Sequence, residues 1–181
     1  MYTLIAASDS ELGIGKNNTL PWDFKEDMQF FHNQTTQKLQ GKINILIMGR
    51  LTYESIPKAH RPLKNRINIV ISRTKQASDF PMADNLHFVK SINAAIELAE
   101  RINNGGQIFC IGGANIYNQF LDRDLIDQVL LTHVEGHFSC DTFLHDFHSD
   151  FRLETEQETI CLNLQDQKKY RLRFQSYKLK K

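Results

Sequence analysis

The sequence predicts an α/β fold: a single domain with a mixed, mainly parallel central sheet flanked by helices, and an antiparallel hairpin at its C-terminal end. Three observations carry that expectation. Short runs rich in Ile and Val recur through the first two thirds of the chain. They are apolar continuously rather than alternately, as strands covered on both faces are. Segments of helical spacing fall between them, and the last third changes to long, partly alternating stretches.

In chain order, TLIAA (3–7) is the first predicted strand. GIGKNNTLPW (13–22) reads as a loop, and 24–36 as a helix. On that helix Phe24, Asp27, Met28 and Phe31 share one face, since residues three and four apart are neighbours. A carboxylate therefore stands among three apolar side chains on the face expected to turn inward. INILIM (43–48) is the next strand and leads into a short helix over roughly 51–57. INIVIS (67–72) and LHFV (86–89) follow, then a helix over 91–103, the strand IFCI (108–111) and a helix over 114–121. QVLLTHV reads as strand; FRLETEQETICLN and KYRLRFQSYKL, split by QDQKK, form the hairpin that closes one sheet edge.

A chain of 181 residues suits one domain with a sizeable core. Lys and Arg (22) nearly balance Asp and Glu (21), so no overall field draws the protein to nucleic acid or a membrane surface. An anionic ligand must be held by local groups. Three scattered cysteines, Cys110, Cys140 and Cys161, with no CxxC pair, fit a reducing compartment. YTLIAA is short, lacks a basic leader and soon meets Asp9, unlike a signal peptide. No run reaches the ~18 apolar residues of a membrane span. The expectation is a cytoplasmic protein, in which the sequons at Asn17 and Asn33 carry no meaning. The segment 133–148 holds four histidines, one cysteine and several acids. HVEGH is not HExxH, and on a strand His133 and His137 stand roughly 13 Å apart, so no metal site is expected.

Two strands end in glycine just before a helix: Gly49-Arg50-Leu51-Thr52, and Gly112-Gly113-Ala114-Asn115. Each turn puts exposed N–H groups at the positive end of a helix dipole, and glycine lets a phosphate approach the backbone. One such turn can be a plain tight turn. Two together suggest a diphosphate held between them, although GxGxxG is absent. Ser72-Arg73 and Lys90-Ser91, at neighbouring strand ends, would suit an extra phosphate monoester such as that of NADP. Alone they read as ordinary polar loop residues; with the glycine turns beside them, the nucleotide reading stands level with that one.

Taken in order, LIAAxxxxxGIGKxxxLPW with a carboxylate on the following helix, IMGRLTYESI, RPLKNRINIVISR, IGGANIY and DTF resemble dihydrofolate reductase along essentially the whole chain. The resemblance implies hydride transfer from NADPH to C6 of 7,8-dihydrofolate with protonation at N5, giving tetrahydrofolate for one-carbon metabolism and thymidylate synthesis. It implies that Asp27 binds the pterin's ring N–H and 2-amino group, with Thr132 behind it, Trp22 holding a water and Leu20 beside the nicotinamide. Without the family, Asp27 could equally be a first-turn acid tilted towards water. Ile5, Ala7, Met28, Phe31, Ile56 and Leu63 would line the slot for the pterin and benzoyl rings. The carbonyls of Ile5 and Ile111, with Tyr117 close by, would meet the 4-position of antifolate inhibitors such as methotrexate. Arg66 would clamp the glutamate α-carboxylate, where it would otherwise read as part of a solvated basic loop.

For NADPH the matching positions are Ala7, Ile14, Gly15, Gly49, Arg50, Leu51, Thr52, Ser72, Arg73, Lys90, Gly112, Gly113, Ala114, Asn115 and Ile116. A cis peptide is expected between Gly112 and Gly113, and Gly13 and Gly15 are expected to give the 13–22 loop a flexible backbone. A free-standing monomer is expected. Asn65 replaces a frequent glycine, Tyr53 a frequent tryptophan, and Lys90 a common arginine; asparagine tolerates the left-handed turn. Two rival readings are a riboflavin-pathway reductase, which would need neither Asp27 nor Arg66, and a non-catalytic nucleotide- or RNA-binding protein.

Overall fold

The Ile/Val runs do become strands covered on both sides. The computed structural model describes residues 1–75, 77–79 and 83–180. Its main sheet has eight strands in the order β5-β4-β3-β6-β1-β7-β10-β9. These are β1 (Tyr2–Ser8), β3 (Asn44–Gly49), β4 (Arg66–Ile71), β5 (Leu86–Val89), β6 (Ile108–Cys110), β7 (Ile126–Val134), β9 (Phe151–Leu162) and β10 (Lys169–Leu179). The β5-β4-β3-β6-β1-β7 block is parallel throughout. β10 pairs antiparallel with both β7 and β9, so the C-terminal hairpin forms one edge as expected.

Alternate strand residues enter different cores. Leu4, Ile45, Ile47, Ile69 and Leu131 pack with α3 (Ile92–Ile102) and α4 (Ala114–Leu121). Ile5, Leu46, Met48, Val70 and Leu130 face the other way, against Phe30 and Phe31 of α1 (Lys25–Thr36) and Tyr53 of α2 (Arg50–Ser55). A parallel sheet sandwiched between helix layers therefore needs apolar residues at every strand position. α3 starts where the Ser91 hydroxyl accepts the Ala94 N–H at 3.2 Å, an N-cap.

One element was invisible in the sequence. Gly13–Gly15 (β2) pairs antiparallel with Thr142–Phe143 (β8) in a separate two-stranded sheet. That pairing places Gly13 and Gly15 on a strand. Both are buried, and the left-handed residues of this region are Leu12, Asn17 and Asn18. Gly13 is required for close approach: a Cβ there would lie 2.5 Å from Cys140 Cβ and 2.8 Å from the Asp9 carboxylate. Asn65 is left-handed (φ 61°), as its residue type allows, and the Gly112–Gly113 peptide is cis.

Candidate functional site

α1 begins just after Phe24, whose extended backbone forms the N-cap, and its first turn carries Glu26 and Asp27. Glu26 is exposed, but Asp27 is only 9% exposed. Burial raises the Asp27 carboxyl to about 6, against a partial opposing effect from the Thr132 hydroxyl that it accepts. A helix N-terminus favours a carboxylate, so here desolvation wins over the dipole. No cation among the described residues pairs with it. Thr132 reaches it because β7 lies next to β1 at the sheet centre, with Thr132 opposite Ala7.

The same helix face does not turn inward as a whole. Phe24 is buried and Phe31 half-buried, but Met28 is 53% exposed, which corrects the expectation that all four residues enter the core. Met28 and Leu20 (47% exposed) instead present their side chains to solvent. The Tyr117 hydroxyl donates to the Ile5 carbonyl at 2.7 Å. Burial, then Cys110 and Asp27, push the Tyr117 phenol well above its ordinary range, so it remains a neutral donor. Trp22 is buried against Phe138, edge to face at 5.1 Å, yet its indole N–H has no partner among the described residues. An indole N–H is donor only and normally satisfied when buried.

Arg66 opens β4 and is 5% exposed, so it is not a solvated loop residue. Its Nε donates to the Lys64 carbonyl at 2.9 Å and its Nη1 to the Thr35 hydroxyl at 2.8 Å. No carboxylate among the described residues pairs with it, and burial alone lowers its pKa. Thr35, fully buried on α1, escaped the sequence reading. Its signal was its place one turn beyond Phe31, whose carbonyl its hydroxyl meets at 2.8 Å. A buried acid and a buried cation thus flank Met28 and Phe31, each lacking an opposite charge.

The two glycine turns abut. The Gly49 N–H donates to the Gly112 carbonyl at 2.6 Å, and a Cβ on Gly113 would lie 3.3 Å from the Thr52 hydroxyl. Ile116 is buried under Gly49, Ala114 is partly open, and Leu51 and Asn115 are exposed. Arg50 is less free than expected, because its guanidinium is held by Glu54 one turn on. At the neighbouring strand ends Ser72 is buried, its hydroxyl accepting the Lys75 N–H at 2.8 Å, while Arg73 and Lys90 are exposed. The cradle therefore offers backbone and hydroxyl groups inside and two cations at its rim.

An open groove of about 470 Å³ lies elsewhere, on the α3–α4 side of the sheet, lined by His133, His148, Arg173 and others. It contains no residue of the predicted site. His133 lies here; among the described residues no group of three or more His, Cys, Asp or Glu is placed to hold a metal ion. No helix among them is long and apolar enough to cross a membrane.

Comparison with known proteins agrees with this geometry. The family model for dihydrofolate reductase matches residues 1–179. A dihydrofolate reductase of Schizosaccharomyces pombe (strain 972 / ATCC 24843) is 37% identical over 160 residues, covering 77% of this chain and 35% of that protein. That of Schistosoma mansoni is 39% identical over 145 residues, covering 77% and 75%. That of Bos taurus is 33% identical over 180 residues, covering 96% and 94%. The chain thus matches about a third of the yeast protein's length and nearly all of the bovine one.

Proposed function

The chain belongs to the dihydrofolate reductase family, and we infer from its buried, cation-free Asp27 that it reduces 7,8-dihydrofolate to tetrahydrofolate with NADPH. A carboxylate raised by burial and backed only by a hydroxyl is costly unless a ligand supplies N–H donors. A pterin supplies two, from its ring and its 2-amino group. Asp27 binds that edge and favours the cation-like ring that accepts hydride at C6. Ile5, Ala7, Met28, Phe31, Ile56 and Leu63 form the apolar walls, and Arg66 clamps the glutamate carboxylate in a bidentate fork.

The two abutting glycine turns, through Gly49, Thr52, Gly113 and Ala114, suit the diphosphate of a dinucleotide, and Ser72, Arg73 and Lys90 suit a 2′-phosphate. The nicotinamide, when bound, supplies the hydride. Leu20 and the 13–22 loop exclude bulk water from it. The Trp22 N–H holds one ordered water near Asp27 and the substrate, and water admitted beside Leu20 and Trp22 delivers the proton to N5. Three free cysteines suit a reducing cytoplasm, where the protein works as a monomer.

The test is loss of NADPH absorbance on adding dihydrofolate, beside an NADH control. Fast, methotrexate-sensitive loss that prefers NADPH is the expected result. No loss, with NADPH still bound, would leave a nucleotide-binding protein and remove the reductase.

A further inference from the structure

Asn68 lies on β4 two residues beyond Arg66 and is fully buried. An apolar residue would fill a central strand position as well, so its amide calls for a reason. Its side-chain carbonyl accepts the Leu63 N–H at 3.0 Å. Its amide nitrogen, with two N–H donors, lies within hydrogen-bond distance of the carbonyls of Leu63 at 3.0 Å, Arg66 at 3.1 Å and Asn85 at 3.3 Å, which share them. One side chain therefore ties both ends of the 63–66 turn, which passes through the left-handed Asn65. Asn85 clasps the same ends from outside, its amide donating to Leu63 at 3.2 Å and Arg66 at 3.0 Å. A buried amide bonded at both its oxygen and its nitrogen, as that of Asn68 is, fixes a local shape more firmly than apolar packing does.

We propose that Asn68, assisted by Asn85, is a positioning residue for the tail end of the substrate. It sets the turn that presents Leu63 to the benzoyl ring and the Arg66 fork to the glutamate carboxylate. The proposal rests on the reductase reading of the site. A guanidinium fork binds a carboxylate well only when its plane is held in register. The pterin end is built from β1, α1 and β7, and neither asparagine bonds to those elements, so the effect is confined to the tail.

The experiment compares two substrates, dihydrofolate and 6-methyl-7,8-dihydropterin, which lacks the benzoylglutamate tail. Asn68→Ala should raise KM for dihydrofolate about tenfold while kcat stays within about twofold. Its kcat/KM for the tailless dihydropterin should match wild type. Asn85→Ala, at a less buried position, should show the same selectivity with a smaller rise, and it decides the matter if Asn68→Ala does not fold. Equal losses on both substrates, or no loss on dihydrofolate in either variant, would overturn the positioning role and leave the reductase standing. Wild-type protein that turns over neither substrate would overturn both.

Discussion

The two parts of the candidate site hold their charges in opposite ways. On the α1 side, Asp27 and Arg66 are 9% and 5% exposed, and neither meets an opposite charge among the described residues. On the strand-end rim, Arg73 and Lys90 are exposed, and Arg50 is occupied by Glu54. A buried, unpaired ion costs several kcal/mol, whereas an exposed one costs little and contributes little. Charge retained at such cost marks the end of the site where the ligand must complete the electrostatics. The expected effects of substitution fall along the same gradient.

Asp27→Asn is the strongest way to break the comparison. Turnover of dihydrofolate at pH 7 should fall about 100-fold or more, with partial recovery in acid, where substrate arrives already protonated. A pH–rate profile reads this; wild-type turnover at pH 7 would remove Asp27 from the chemistry. The same substitution should stabilise the free protein. The Asp27 carboxyl is raised from 3.8 to about 6, so between those values the folded state binds the proton more tightly than the unfolded chain. Stability from this group is therefore full below about pH 4 and lost as pH rises through 6. At pH 7 the asparagine variant should gain on the order of 3 kcal/mol, and the gain should vanish at pH 4. Urea denaturation at the two pH values checks the sign.

Arg66→Leu comes next. Losing a charge-assisted fork should raise KM for dihydrofolate about 10- to 100-fold with kcat little changed, because the contact is remote from the reacting atoms. An unchanged KM would mean that the buried guanidinium serves only Thr35 and Lys64. Thr132→Val sharpens the account of Asp27 more gently. It removes the hydrogen bond that favours the ionised carboxylate, so the acid limb of the pH profile should move to higher pH. A limb that stays in place would detach Thr132 from Asp27.

The difference between the two sides also explains what the sequence disclosed. The strand runs were legible because burial on both faces demands apolar residues at every position, from Leu4-Ile5 to Leu130-Leu131. The glycine turns were legible because residue type limits what backbone can do there. Asp27 stood out as an acid on an apolar face, but burial of the whole face did not follow: Met28 is exposed. Arg66 was legible only through family resemblance, since the hydroxyl that accepts from its buried guanidinium belongs to Thr35, 31 positions away in the chain. The close approach at Gly13 was not legible because its neighbour, Cys140, arrives from a distant loop. Local periodicity carries no information about such long-range contacts.

The rim supplies the smallest expected effect and the finest test of the gradient. Arg73→Ala removes an exposed cation, and exposed ion pairs contribute roughly 0.2–1 kcal/mol. KM for NADPH should therefore rise only about two- to fivefold. The rise should shrink at high salt, because exposed charges are screened within a Debye length. KM for NADH, which lacks the 2′-phosphate, should not move. If NADPH and NADH lose equally, Arg73 steadies the loop rather than reading the phosphate, and selectivity rests on Ser72, whose hydroxyl is buried and already fixed by Lys75. If the loss for NADPH instead rivals that of Arg66→Leu for dihydrofolate, the bound cofactor must bury Arg73, and the rim would then obey the same rule as the α1 side.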